Sequence, residues 1–222
     1  VFNPFKLYSS LKEKYREDYY SHCRTDLLPF INGNPEYILD IGCSKGLTGK
    51  LFKEHFEAKY VAGVEVNPDA ASIAEEHLDD VYVLDLNKEP LPGEDDFFDL
   101  MILGDILEHL VEPYSLLKAV HKKLKNGGQA IISVPNIRNW RILFELIFKG
   151  DWRYVDAGVL DKTHLRFFAR KSMKRMIFET GFEIKKYGCR LRFLEKILNI
   201  LSLSIFKGFL TSQNYFSIIK IK

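Results

Sequence analysis

The chain reads as a doubly wound α/β domain, and three features of the sequence predict it. Five short runs between residues 37 and 136 are apolar throughout rather than alternating, as strands buried on both faces are. Helical stretches of about 10–13 residues separate them, which suits crossovers between parallel strands. Glycine, proline or asparagine punctuates the junctions.

The first run, "YILDIG" (37–42), ends in glycine and leads into helical "LTGKLFKEHFE". "YVAGVEVN" (60–67) precedes "PDAASIAEEHL", where Pro68 suits a helix first turn. "VYVLDL" (81–86) enters a polar loop, and "FFDLMILGDIL" (97–107) leads to "PYSLLKAVHKKLK", a helix that Asn126, Gly127 and Gly128 are expected to stop. "QAIISVPN" (129–136) is the fifth strand. Beyond it come an irregular insertion, a helix over 171–181 ended by Gly181, a strand "FEIKKYG", an amphipathic stretch over 191–210 and a terminal strand "YFSIIKIK". Residues 5–31 read as helices. The expected organisation is N-terminal helices over 1–36, a ligand-binding core over 37–136, an insertion over 137–170 and the rest of the same domain over 171–222.

Composition narrows the class. With 46% hydrophobic residues in 222 the chain can bury a sizeable core. Its three cysteines form no C-x-x-C pair, which excludes a disulfide framework or zinc knuckle and fits a reducing compartment. No signal-like apolar segment opens the sequence and no run is long enough to span a bilayer, so a cytoplasmic location is expected. The net charge of +2 conceals an asymmetry: 14 Lys+Arg against 23 Asp+Glu in residues 1–136, and 18 against 7 in 137–222. The basic part would steer an anionic partner or dock on the acidic part.

The turn "ILDIGCSKGLTGK" (38–50) carries the chemistry. Gly42 and Gly46 allow backbone to approach a ligand. The dinucleotide pattern G-x-G-x-x-G fails, because Ser44 and Leu47 stand at its second and third glycines. Asp40 would repel a diphosphate but suits an ammonium group. S-adenosylmethionine (SAM) carries an ammonium and an adenosine and no phosphate.

"ILDIGCSKG" resembles the D-x-G-x-x-x-G signature of class I SAM-dependent methyltransferases. "VAGVEVNPDA", "VYVLDL", "FFDLMILGDILEHLVEP" and "LKNGGQAIISVPN" are similar to that family's later motifs, in order, and the resemblance covers roughly residues 20–222. It implies a seven-stranded, mostly parallel, Rossmann-like methyltransferase sheet with an antiparallel last strand. It also implies that Asp40 receives the ammonium, that Gly42, Ser44 and Gly46 pack backbone against the cofactor, and that Glu65 holds the ribose hydroxyls. Asp85 and Leu86 would read adenine, and Gly104 and Asp105 would lie beside the sulfonium. Glu65 has an alternative as a helix N-terminal acid, and Asp85 as a turn cap.

On the acceptor side, Asp105, Glu108 and His109 fall at i, i+3 and i+4, one face if a helix begins there. "DKTHLRFF" (161–168) adds His164. His109 and His164 are candidate catalytic residues, as base or substrate contact. In a second reading Asp105, Glu108, His109 and His164 bind a divalent metal, as the similar E-x-x-E-H grouping of some small-RNA 2′-O-methyltransferases and ubiquinone-pathway O-methyltransferases implies; Asp105 replaces the first Glu of that grouping. In a third the group is structural. The insertion is expected to act as a lid with Trp140, Trp152 and Tyr154 as aromatic walls. Arg166 and Arg170 would supply anion contacts, and Ile142, Leu143, Leu146 and Ile147 a buried helical stripe. The segment 192–210 would lie on a membrane, cover a sheet edge or make a dimer contact. Tyr19 and Tyr20 would close over the cofactor or pack.

The expected function is SAM-dependent O-methylation of a small-molecule or carbohydrate-type acceptor, an anionic sugar being suggested by similarity of "PN…W…DKTHLRFF" to polysaccharide-linked bacterial methyltransferases. The alternatives are a non-catalytic SAM-binding protein and an RNA methyltransferase; nucleic acid is not the expected partner.

Overall fold

The structure, a computed structural model, describes residues 23–221. Seven strands form one sheet: β1 (Tyr37–Ile41), β2 (Tyr60–Glu65), β3 (Asp80–Val83), β4 (Phe98–Gly104), β5 (Leu124–Pro135), β6 (Phe182–Arg190) and β7 (Gln213–Lys220). Their spatial order is β3-β2-β1-β4-β5-β7-β6. The pairs among the first five strands are parallel, while β7 runs antiparallel to both β5 and β6. The order reverses between β1 and β4, and in such sheets that switch point opens a crevice beyond the strand ends. The expected doubly wound sheet with an antiparallel last strand is therefore the architecture present.

The apolar strands are buried for the reason their composition gives. One face, with Leu39, Ile41, Met101, Leu103 and Ile132, packs against α3 (Pro113–Lys123) and α5 (Arg170–Glu179). The other face, with Ile38, Val61, Leu100, Ile102 and Ile131, packs on α1 (Leu47–Phe56), α2 (Pro68–Ala74) and the 3₁₀ turn Thr25–Phe30. Close packing fixes small residues. A Cβ on Gly63 would lie 2.5 Å from Cys43 Sγ, so β2 needs glycine where the turn after β1 folds back on it. Pro68 does open α2, with Asn67 Oδ1 capping Asp69 N at 3.0 Å.

Several elements depart from the sequence reading. The helix α3 ends at Lys123, and Asn126, Gly127 and Gly128 lie within β5, where the register with β4 shifts. The glycines form a bulge: residues 125–128 have no strand partner, and Gly127 holds left-handed backbone (φ 79°). Of the expected N-terminal helices, residues 1–22, including Tyr19 and Tyr20, lie outside the described residues; Thr25–Phe30 is a 3₁₀ helix. The insertion opens with α4 (Trp140–Phe144) and one π turn, Glu145–Lys149, but no side chain of either is buried. Leu146 and Ile147 are exposed, so the expected buried stripe is absent: the periodicity was present without a partner surface. The stretch 191–210 divides into α6 (Phe193–Leu201) and α7 (Lys207–Leu210).

Candidate active site

The turn after β1 is built from left-handed residues two apart: Gly42 (φ 79°), Ser44 (φ 53°) and Gly46 (φ 76°). Gly42 and Cys43 donate their N–H groups to Val64 O at 2.8 and 3.0 Å, tying the turn to the end of β2. Gly46 serves more than close approach, because a Cβ there would lie 3.0 Å from the Ala74 Cα of α2. Cys43 is buried, and burial pushes its thiol pKa well up, so it is no nucleophile.

Asp40 sits inside β1 between Gly63 and Ile102, with only 4% of its surface exposed, and its Oδ2 has no hydrogen-bond partner. Burial raises its pKa to about 7, against the opposing pull of Arg24. A buried carboxylate oxygen without a partner is costly unless something completes it. The ammonium of the SAM tail is a chemically matched completion at the switch point.

Glu65 ends β2 and is buried. Its Oε2 accepts Ser44 N at 2.9 Å, and its Oε1 accepts Val66 N and Asn67 N at 3.0 and 2.9 Å. The carboxylate thus closes the glycine turn onto α2, the role of a helix N-terminal acid, and Oε2, with one donor, retains lone-pair capacity for a ribose hydroxyl. Burial raises its pKa, opposed by those three N–H donors. Asp85 behaves as the turn cap: its Oδ1 accepts Asn87 N at 3.0 Å and its Oδ2 pairs with Lys88 at 2.9 Å. Leu86 lies beside it, partly buried against the core.

Gly104 ends β4 and Asp105 follows it, but Asp105 turns away from its sequence neighbours. With φ at 56° its carboxylate accepts Arg24 Nη1 at 2.8 Å, Ser133 Oγ at 2.9 Å and the Gln213 amide. Arg24 also forks onto Asp26, which accepts Tyr215 OH at 2.8 Å. Burial alone would raise the Asp26 pKa; the Arg24 fork and the Tyr215 hydroxyl outweigh it and hold the carboxyl below the usual range. This network stitches the pre-β1 segment to β4, β5 and β7 beside the cofactor end. Sequence reasoning missed Arg24, whose partners are 81 and 109 residues away. Arg24→Met should destabilise the fold by about 2–3 kcal/mol, since two partly buried carboxylates lose their cation; urea unfolding against wild type measures it.

No helix begins at Asp105. Leu107–His109 is a 3₁₀ turn, and the expected shared face of Asp105, Glu108 and His109 does not form. Instead Glu108, His109 and His164 come together, their ligating atoms within 4.8 Å of one another, and Asp105 is outside the group. The rings of His109 and His164 meet edge to face at 4.8 Å. His109 Nδ1 lies 3.3 Å from Thr163 O and His164 Nδ1 lies 2.9 Å from Val159 O. A carbonyl only accepts, so both Nδ1 atoms carry the proton and both Nε2 atoms offer lone pairs. Glu108 is buried with neither carboxyl oxygen partnered, and burial, then the charge of Asp105, pushes its pKa well up. Burial, then His164, lowers His109 to about 4.

The loop that carries His164 is locally specified. Asp161 Oδ1 accepts Thr163 N at 2.8 Å and Thr163 Oγ1 at 2.6 Å, an Asx turn, and Leu165 N and Arg166 N both donate to Glu108 O. The D-x-T spacing was the available signal for Asp161, which sequence reasoning passed over. Arg166 donates to Val111 O at 3.1 Å, and the Arg170 guanidinium stacks 4.0 Å over the Tyr187 ring, so both expected anion contacts have structural partners. Trp152 meets Phe167 edge to face at 5.4 Å, and Tyr154 lies 6.4 Å from the same ring.

A seven-stranded sheet of this order, with a buried acid and glycine turn at its switch point and an acid ending β2, is the arrangement of the class I SAM-dependent methyltransferases. A family model described as a methyltransferase domain matches residues 13–187. The chain belongs to that family, and SAM is the cofactor the family uses. It is 28% identical over 158 residues to the ubiquinone biosynthesis O-methyltransferase of Pseudomonas aeruginosa, covering 67% of this chain and 65% of that protein. It is 26% identical over 161 residues to the protein of the same description from Coxiella burnetii, covering 66% of each. The chain thus spans about two thirds of the length of these curated relatives. Crystal structures of SAM-dependent methyltransferases from Archaeoglobus fulgidus (TM-score 0.65, 20% identity, 98% of this chain and 100% of that one) and Mesorhizobium loti (0.63, 20%, 88% and 96%) share the fold.

Proposed function

We propose that this protein transfers the methyl group of SAM to a hydroxyl oxygen of a small-molecule acceptor, a phenol or sugar hydroxyl. The observation that carries the reading is the convergence of Glu108, His109 and His164 just beyond β4, next to the switch point. Asp40 would hold the ammonium, Glu65 the ribose, and Asp85 with Leu86 the adenine edge. Methyl transfer is an in-line displacement at a carbon already activated by sulfonium, so the chain's work is positioning and removal of the hydroxyl proton. The Nε2 of His109 or His164 would accept that proton as the oxygen–methyl bond forms and the carbon–sulfur bond breaks, leaving S-adenosylhomocysteine. The O-methyltransferase description of the curated relatives supports oxygen as the acceptor atom.

A second reading has its own support. The two Nε2 lone pairs and the unpartnered Glu108 carboxyl fit a divalent metal, whose chemistry would be to lower the acceptor hydroxyl's pKa. Asp105 is no ligand in that set. The test is methyl transfer from labelled SAM to phenolic and sugar hydroxyl panels, with chelator and with added Mg²⁺ or Zn²⁺. O-methylated product supports the reading, and loss with chelator selects its metal form. Folded, SAM-binding protein that transfers to no acceptor points to the non-catalytic alternative.

A further inference from the structure

The helix α6 faces the wrong way for a soluble protein. Its one acid, Glu195, is buried, while Phe193, Leu194, Ile200 and Leu201 stand 63–75% exposed. The turn that follows adds Leu203 at 86% and Ile205 at 75%. The orientation is fixed. The buried Glu195 accepts Arg141 Nε at 3.2 Å, Trp140 Nε1 at 3.4 Å and Arg192 N at 3.0 Å, so rotating the helix to hide its apolar stripe would tear out a buried charge. The α4 segment that Glu195 grips carries Ile147 and Phe148, at 68% and 73% exposure, on its π turn. Large apolar side chains exposed in this number on one short segment mark an interaction site.

The charge around it selects the occupant. Between residues 190 and 210 the sole acid is the buried Glu195, whereas Arg190, Arg192, Lys196 and Lys207 are exposed. A two-fold contact with a second copy would set those cations against themselves with no acid to answer them. Leu203 and Ser204 hold left-handed backbone (φ 49° and 65°) in the turn between α6 and α7, where Leu203 and Ile205 are exposed. Among the described residues no helix is long and apolar enough to cross a membrane. An apolar helical face rimmed by Lys and Arg is the chemistry that lies in the interface of an anionic bilayer.

We propose that α6, the 202–206 turn and α7 form a peripheral docking surface for anionic phospholipid. This stands apart from the catalytic reading, since no residue of the SAM or acceptor site is in it. The experiment is sedimentation of the full chain with vesicles of phosphatidylcholine alone and of phosphatidylcholine with about one third phosphatidylglycerol. The expected result is binding to the anionic vesicles, weakened by high salt, and reduced about tenfold or more by Leu201→Glu and by Lys196→Glu with Lys207→Glu. Circular dichroism and SAM titration should show those variants folded and cofactor-competent. Absence of binding to anionic vesicles overturns the proposal, as does binding that Leu201→Glu leaves intact. A dimer in sedimentation velocity that Leu201→Glu disperses, without vesicle binding, overturns it in favour of a second copy.

Discussion

Asp40→Ala is expected to weaken SAM binding by about tenfold to a hundredfold, the range for losing a charge-assisted contact to a buried carboxylate. The same change should not destabilise the free protein. Asp40 Oδ2 has no partner, and burial holds its pKa at about 7, so at neutral pH and above its ionised form is a strain on the fold. The pH dependence follows in opposite senses. Between the unfolded pKa near 4 and the folded value of about 7, the native state holds a proton that the unfolded chain has lost, so this group's contribution to stability rises as pH falls through that window. SAM affinity runs the other way, because the ammonium needs the carboxylate, and it should decline as pH drops below about 7. Calorimetric titration and urea unfolding across that range read both slopes. A wild-type affinity independent of pH, or an Asp40→Ala affinity equal to wild type, would remove Asp40 from the site.

The second large effect concerns turnover. His164→Gln and His109→Gln should each lower kcat by about 10²- to 10⁴-fold while leaving SAM affinity near wild type, as removing a positioned proton acceptor does. Glu108→Gln separates the two forms of the mechanism. If Glu108 acts as the neutral acid that its burial favours, the amide preserves its shape and polarity and activity persists. If it acts as an ionised metal ligand, the amide abolishes metal-dependent activity and metal uptake together. Equal loss of SAM affinity in the histidine variants would instead assign the cluster a structural role.

The sheet was readable because both-face burial leaves an unbroken apolar run, as in "LMIL" of β4, and because five motifs occur in order. What local pattern could not reveal was where long-range contacts win. The helix ends three residues before Asn126-Gly127-Gly128, and those residues form a bulge inside β5 before pairing with β4 and β7 resumes at Gln129. The candidate cofactor residues could be picked out for a related reason, since they lie in or just after β1, β2, β3 and β4. On the acceptor side, spacing suggested that Asp105 joins Glu108 and His109, but a left-handed backbone at Asp105 sends its carboxylate to Arg24. His164 was found by residue type, by its place in the segment expected to cover the cofactor and by resemblance to a grouping with a later histidine. Its meeting with His109 depends on the Asx turn at Asp161 and on two N–H groups bonded to Glu108 O, contacts that no periodicity encodes.

The strand order bears on how the chain is made. β7 is the last strand in sequence, yet in space it separates β5 from β6, and β6 has no other neighbour in the sheet. Until residues 213–220 have left the ribosome, one edge of β5 stays open, β6 has nothing to pair with, and Asp105 lacks the Gln213 amide that helps hold it. Completion of this sheet therefore waits on β7, the last of the seven described strands to emerge, and until then unpaired strand edges are exposed to aggregation or chaperone capture.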